Sequence, residues 1–445
     1  MRVALWSVAM RAEILTIGDE LCRGEIVDTN SSYLAGLLWE RGVTTRWMTS
    51  CNDDADDLAQ AVTLAVGRAD VVVCSGGLGP TEDDLTVDVV AGLAGVAPEI
   101  DPAARARMEA WLARRSGPGA APLSPALAAI QLRQVRIPAG ARTYANPAGL
   151  APGFEISLRG VPVICLPGFP REIRAIVDDS LADRLGALRD AAAPEHIARR
   201  TYRTFGRGES QISQACRGLI DGAPGTTIHY QVKFPETLVK LVVRDRAADA
   251  AAARLAALDQ DLRARLAGAL YGDGEETLIE RAVRRMIAAG RTCATAESCT
   301  GGLIGELLTS RPGSSRAYAG GAIVYRDAEK VRQLGVLDAT LAAHGAVSEQ
   351  VVREMALGAR ARFGVDLAVA VSGVAGPDGG TPDKPVGTVW LALASADGVR
   401  THRLGWPGAR DQVRTLAAWW AIKLLDDATP EAVSGEAPLH PDEAT

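Results

Sequence analysis

Residues 69–84 read Ala-Asp-Val-Val-Val-Cys-Ser-Gly-Gly-Leu-Gly-Pro-Thr-Glu-Asp-Asp, an apolar run ending in a glycine-rich turn with acids behind it. A near-continuous apolar strand of this kind belongs in a parallel sheet covered on both faces. Glycines at its end (Gly76, Gly77, Gly79) let backbone N–H groups close around a phosphate, and a following helix would offer its positive N-terminus. Thr81 lies in the same turn. Asp83 and Asp84 could hold a divalent metal that bridges phosphate oxygens, or could simply cap the helix.

Outward from this turn, strand and helix signals alternate through residues 12–170. Strands are expected at Ala12–Gly18, Val43–Thr49, Ala69–Ser75 and Val161–Leu166, with helices such as Asn30–Arg41 and Ala55–Gly67 between them. The result is a layered α/β domain. Gly18, Asp19 and Glu20 follow the first strand, and Gly24–Ser31 (with Asn30) follows them, so they gather at the same carboxyl edge of the sheet, where open α/β folds bind ligands. Leu166–Glu172 (LPGFPRE) is a third strand-to-helix turn at that edge, and each of these turns also has an ordinary reading as cap chemistry. Ser116–Pro125 reads as an internal loop. A small α+β connector is expected over 171–272, opening with a helix at Arg171–Leu188 and closing with an Ala-rich helix at Ala247–Ala267. From residue 276 to 427 the α/β alternation resumes, with strands at Thr292–Glu297, Gly321–Tyr325, Leu367–Val374, Thr388–Ala394 and Val399–Leu404. Residues 428–445 are rich in acid and proline and lack Lys and Arg, the composition of a disordered tail.

Composition bounds the function. The 445 residues suggest about three domains. With 47% apolar and 23% charged residues, and a net charge of only −6, the chain has the profile of a folded globular protein. An excess of acids over bases and 4% aromatics argue against a nucleic-acid partner, and the 46 glycines favour a small anionic ligand. No apolar run reaches membrane-spanning length, so no membrane partner is expected. Residues 1–9 are expected to be a dispensable extension. The seven cysteines include no CxxC pair, which suggests reduced thiols and a cytoplasmic location. The five histidines form no zinc pattern.

A second chemical signal is Ala296-Glu297-Ser298-Cys299-Thr300-Gly301-Gly302, a strand end followed by a helix expected from Thr300. That geometry exposes Ser298 and offers the N–H groups of Cys299, Thr300, Gly301 and Gly302 to a developing oxyanion. Tyr325 and Lys330 (YRDAEK) follow another strand end, and a buried lysine is one way to activate a serine. Ser298 could instead be a plain N-cap, Cys299 the nucleophile, and Lys330 a solvated surface residue. Ser372–Gly380 (SGVAGPDGG, with Gly373 and Gly376) and Arg311–Arg316 (RPGSSR) are loops that could cradle a ribose phosphate or be simple turns.

Taken together, these motifs resemble the CinA family. The Gly18–Ser31, Gly76–Asp84 and Leu166–Glu172 stretches are similar to its amino-terminal domain, which has a molybdopterin-binding-like α/β fold. Asn146–Phe154 (NPAGLAPGF) also matches, although the family usually has Thr where this chain has Leu150. Tyr230 and Phe234-Pro235-Glu236 match its KH-like connector, but no GxxG loop with basic flanks is present, so RNA binding is not expected. AESCTGG, RPGSS, GGAIVYRDAEK, GAVS, VSGVAGPDGG and KPVGTV appear in the order of its carboxyl-terminal, PncC-type amidohydrolase domain.

The resemblance implies that the carboxyl-terminal domain releases ammonia from nicotinamide mononucleotide, with Ser298 as nucleophile, Lys330 as general base and Tyr325 assisting, and with no cofactor. It implies that the amino-terminal domain is a metal-dependent ADP-ribose pyrophosphatase in which Gly76–Asp84 holds nucleotide and divalent metal. Pyridine-nucleotide salvage and a homodimer are the accompanying expectations. The readings from another class are a non-catalytic nucleotide sensor or adaptor linked to competence or DNA damage, and an amino-terminal domain that binds molybdopterin or only scaffolds.

Overall fold

The computed structural model describes residues 10–116, 125–192 and 196–430. The expected leader at 1–9, most of the loop at 116–125 and most of the tail at 428–445 lie outside the described residues. Within these limits the chain divides into two units, Met1–Ala198 with Val243–Ala253, and Arg199–Val242 with Arg254–Thr445.

The first unit is built on strands β1 (Arg11–Ile17), β2 (Thr44–Cys51) and β3 (Val71–Ser75). A small pair, β4 (Pro98–Ile100) and β5 (Arg136–Pro138), stands apart from the main sheet. β6 (Arg142–Tyr144), β7 (Gly153–Leu158) and β8 (Val161–Leu166) complete the main sheet. Its order is β2-β1-β3-β8-β7-β6, with the first four strands parallel. Successive residues of β1 explain the layering: Leu15 packs with the helix Ala55–Arg68, and Ile14 with the helix Thr29–Glu40. Every residue of β3 is buried, as its sequence requires of an interior parallel strand.

The helical stretch Pro170–Ala192, expected to open the connector, instead packs its Ile173, Ile176, Leu181 and Leu185 against β1, β3 and β8. Its apolar face needs cover, and the open face of that sheet supplies it; the division expected at residue 170 therefore falls after this helix. β6 and β7 were not foreseen because they are short antiparallel edge strands without an uninterrupted apolar run.

In the second unit, β9 (His196–Thr204), β10 (Thr226–Lys233), β11 (Glu236–Asp245) and β12 (Leu270–Asp273) form a sheet in the order β10-β11-β9-β12. Just after β9, Phe205 leaves the connector and packs between Trp419 and Trp420, at ring distances of 5.6 and 5.1 Å. A second sheet contains β13 (Cys293–Glu297), β14 (Tyr318–Ile323), β15 (Leu367–Gly373), β16 (Thr388–Ser395) and β17 (Gly398–Gly405), ordered β14-β13-β15-β16-β17. β14, β13 and β15 are parallel; β16 and β17 turn antiparallel. Alanines on one face (Ala294, Ala296, Ala368, Ala370) admit the helix Glu349–Phe363 at close range. Larger residues on the other face meet the helices Leu278–Ala288 and Arg410–Ala428. Among the described residues, no helix is long and apolar enough to cross a membrane.

Candidate functional site

β13 is central and fully buried, and its parallel neighbours bring three carboxyl ends to one edge. Ser298 emerges there, 8% exposed, its N–H donating to the Val371 carbonyl at 3.0 Å. Its hydroxyl makes no hydrogen bond among the described residues. The helix that follows begins at Leu303 rather than Thr300. Gly301 (φ +61°) and Gly302 (φ +101°) hold left-handed conformations that no helix continues, so Cys299–Gly302 is a turn.

Glu297 organises that turn. Its carboxylate, 1% exposed, accepts the N–H groups of Gly302 (2.9 Å), Ile304 (3.1 Å) and Gly305 (2.9 Å). Gly301 N–H goes to the Ser298 carbonyl. Of the expected oxyanion donors, Gly301 and Gly302 are thus engaged inside the turn, which corrects the sequence reading. Cys299 and Thr300 hold the N–H groups not committed to it. Burial, with the charge of Glu297 adding, pushes the Cys299 thiol up to about 12, which weighs against a thiolate nucleophile at this position.

Lys330 sits on the helix Asp327–Leu334 and is 1% exposed, so it is not a solvated surface residue. Its Nζ donates to Asp327 Oδ1 at 3.0 Å and to the Tyr325 carbonyl at 3.4 Å. The Tyr325 hydroxyl accepts from Arg410 Nη2 at 3.1 Å, and Arg410 Nη1 donates to the Gly376 carbonyl at 2.8 Å. Ser298, Tyr325, Lys330, Ser372 and Arg410 line one cavity of about 280 Å³, with Gly373 and Gly376 in its wall. Ser372 directs its hydroxyl to the Ala346 carbonyl at 2.7 Å. The Arg311–Arg316 turn lies elsewhere, its Arg311 paired with Glu280.

Sequence reasoning missed Glu297, Asp327 and Arg410. An acid closing a buried apolar strand was a readable signal for Glu297, and an i,i+3 spacing to Lys330 was one for Asp327. Nothing local marked Arg410, which reaches the cavity from the start of a distant helix.

In the first unit, Gly18–Glu20, the Gly76–Asp84 turn and the Pro167–Glu172 turn do share the carboxyl edge of the sheet. Asn30 Nδ2 links them, donating to Ser75 Oγ (3.1 Å) and the Gly168 carbonyl (2.7 Å). Asp19 and Asp53 exchange bonds with each other's N–H groups, and Asp19 also pairs with Arg23. Burial raises the Asp53 carboxyl, with Glu20, Asp19 and Asp83 nearby adding to it.

The glycine turn, however, is turned inward. A Cβ on Gly76 would lie 2.2 Å from the Ile17 carbonyl oxygen, and one on Gly77 2.2 Å from Thr86 Oγ1, so close packing alone demands both glycines. Gly76 N–H donates to the Leu166 carbonyl. Asp84 accepts from Gly79 N–H (2.7 Å), Thr81 N–H (2.8 Å) and Thr81 Oγ1 (2.5 Å). The Thr81 side chain holds the exposed Asp83 below the usual carboxylate range. Both Asp84 oxygens are engaged within its own loop, and among the described residues no three His, Cys, Asp or Glu side chains are placed to share an ion. Asp84 is thus engaged in shaping the turn, whereas Asp83 stays exposed.

Comparison with known proteins accords with this architecture. The family profile "Probable molybdopterin binding domain" matches residues 13–187, "Damage-inducible protein CinA KH domain" residues 199–272, and "CinA C-terminal domain" residues 275–429. A "CinA-like protein" of Anaeromyxobacter sp. (strain Fw109-5) is 41% identical over 419 residues, covering 94% of this chain and 98% of its own. One of Myxococcus xanthus is 40% identical over 420 residues, covering 94% and 97%. A crystal structure of a competence/damage-inducible protein from Agrobacterium tumefaciens is 40% identical, covers 34% of this chain and 94% of its own, and has a TM-score of 0.33.

Proposed function

The chain belongs to the CinA family, and from that premise we propose that its carboxyl-terminal unit hydrolyses the amide of nicotinamide mononucleotide to nicotinate mononucleotide and ammonia. The observation that carries this reading is one cavity holding a buried serine with an uncommitted hydroxyl together with a buried lysine amine. Ser298 Oγ attacks the carboxamide carbon while its hydroxyl proton passes to Lys330 Nζ. Asp327 and the Tyr325 carbonyl hold the ammonium so formed. The Cys299 N–H, next to Ser298 in the cavity wall, is the donor this reading gives to the developing oxyanion. Collapse of the tetrahedral species breaks the C–N bond, and Lys330 returns the proton to the departing ammonia. Water then attacks the acyl ester on Ser298, with Lys330 again as base, and restores the hydroxyl. Arg410 supplies the positive charge for the phosphate of the substrate.

Ammonia release from nicotinamide mononucleotide by the whole chain, beside Ser298→Ala and Lys330→Met, tests the proposal. Release by the parent that falls by about 10³-fold or more in each variant is expected, the scale of removing a covalent catalyst. Activity retained in Ser298→Ala would move the nucleophile elsewhere. A parent without activity would leave this unit a nucleotide-binding module.

A further inference from the structure

Phe234 stands at the tip of the hairpin between β10 and β11, and its ring is 40% exposed. The hairpin beneath it is firmly held. Glu236 is 3% exposed and takes Arg203 Nη1 on both carboxylate oxygens, at 2.8 and 3.0 Å, together with the Tyr271 hydroxyl. Arg203 Nε donates to the Gly274 carbonyl at 3.0 Å, which ties in the joint leading to the next sheet. A buried polar network with its members satisfied makes a rigid base.

From that base Phe234 meets Trp406, with ring centroids 6.2 Å apart and planes tilted by 42°, the separation of a favourable aromatic pair. The Trp406 ring is exposed as well, but its backbone is wedged against the wall of the Ser298 cavity. A Cβ on Gly387 would lie 1.8 Å from the Trp406 carbonyl oxygen. Trp406 N–H donates to the Gly387 carbonyl at 3.1 Å, and Gly387 N–H to the Val374 carbonyl at 2.8 Å. Val374 and Gly376 line the cavity, and the Gly376 carbonyl accepts from Arg410, four residues beyond Trp406. Farther along the helix Arg410–Ala428, Trp419 and Trp420 receive Phe205. Two rings attached to one small sheet therefore bracket the helix that delivers Arg410.

We propose that Phe234 is a positioning residue for the amide site: through Trp406 it holds the start of the helix Arg410–Ala428, and so keeps the Arg410 guanidinium where the phosphate of the substrate docks. The inference rests on the reading of the cavity given under the proposed function. Phe234 and Trp406 lie outside the lining of the cavity, so they act through Arg410 and the loop after β15. Ser298 and Lys330 come from other elements, after β13 and on the helix Asp327–Leu334. The contribution of Phe234 therefore falls on phosphate recognition rather than on the chemical step. It sets how strongly a mononucleotide is preferred over its riboside.

The test measures ammonia release by the whole chain from nicotinamide mononucleotide and from nicotinamide riboside, for the parent, Phe234→Ala, Phe234→Tyr and the control Val232→Ala. Calorimetric affinity for the mononucleotide is measured on the same set in a Ser298→Ala background. Val232 is 56% exposed on the strand that leads to Phe234. Phe234→Ala should raise KM for the mononucleotide and weaken its binding about three- to tenfold, the worth of one aromatic pair. Its kcat should hold, the mark of lost uniform binding. The riboside has no phosphate and should respond little, while Phe234→Tyr, which keeps the ring, and Val232→Ala should match the parent. A merely structural role would instead lower kcat on both substrates alike, and that result overturns the proposal. Equal mononucleotide affinity in the parent and Phe234→Ala also overturns it. A parent that releases no ammonia, yet binds the mononucleotide more tightly than Phe234→Ala does, overturns the hydrolytic reading and leaves the positioning role standing. A parent that neither releases ammonia nor binds the mononucleotide overturns both.

Discussion

Replacing Glu297 is the most discriminating perturbation of the carboxyl-terminal unit. Its carboxylate accepts three backbone N–H groups inside a buried turn and has no cationic partner among the described residues. A buried donor stripped of its acceptor costs about 1–3 kcal/mol, so with three such donors Glu297→Ala should destabilise the unit by roughly 3–9 kcal/mol. Glu297→Gln is subtler. Its oxygen can keep the Gly302 and Ile304 N–H groups, but its amide nitrogen then faces Gly305 N–H donor to donor. One lost bond of this kind is worth about 1–3 kcal/mol. For a unit of this size each kcal/mol moves the melting temperature by about 2–4 °C. Calorimetry should therefore rank parent above Glu297→Gln above Glu297→Ala in the transition of this unit alone. Ammonia release at a temperature where all three are folded should fall in the same order through kcat, because the turn sets the backbone directly after Ser298. An alanine variant within about 1 kcal/mol of the parent would refute the idea that this acid holds the turn together.

Other expectations are open to direct measurement. A Cβ on Gly358 would lie 1.9 Å from the Leu334 carbonyl oxygen, at the end of the helix that carries Lys330. Gly358→Ala should displace that helix and lower kcat at least about tenfold with a lowered melting temperature, the scale of an ångström-sized misplacement; an unchanged rate would count against the coupling. Cys22 is the only exposed cysteine, and burial and surrounding acids raise its thiol. Native alkylation at pH 8 should be slow, confined to Cys22 and abolished by Cys22→Ser, whereas labelling of Cys299 would contradict its buried setting. Burial lowers the pKa of His402, which stacks on Trp420 with ring centroids 4.1 Å apart. The neutral ring is favoured in the fold, so its contribution is complete above the ordinary histidine value of about 6.5 and is lost as the pH falls through the lower folded-state value. Melting curves from pH 7 to 5 should therefore fall more steeply for the parent than for His402→Asn, and parallel curves would refute this.

Much of this could be read from residue order. β3 and β13 announce themselves as apolar strands ending in glycine turns, and Ser298, Tyr325 and Lys330 do meet in one cavity. What escaped is long-range or conformational. Arg410 comes to the cavity from more than a hundred residues after Ser298, a distance at which no local pattern operates. The helix start moved from Thr300 to Leu303 because two successive left-handed glycines satisfy the turn through Glu297, a tertiary choice that overrides helical spacing. The glycine turn after β3 looked like a phosphate cradle, yet Gly76 and Gly77 are required by β1 and Thr86 pressing against the backbone. Glycine marks close approach, and sequence alone does not tell whether the visitor is a ligand or the protein itself.

The late position of the helix Arg410–Ala428 bears on how the chain comes off the ribosome. Its Ala417, Ala418, Ile422 and Leu425 close one face of the sheet, and its first residue, Arg410, fastens Tyr325 to the loop after β15. Until these residues have left the exit tunnel, β13 and β15 have an uncovered apolar face, and Phe205, made some two hundred residues earlier, has no tryptophans to receive it. A nascent chain of this protein therefore carries an uncovered sheet face from the emergence of β13 and β15 until this helix follows, and a premature stop codon between β15 and Arg410 would release a polypeptide suited to aggregation.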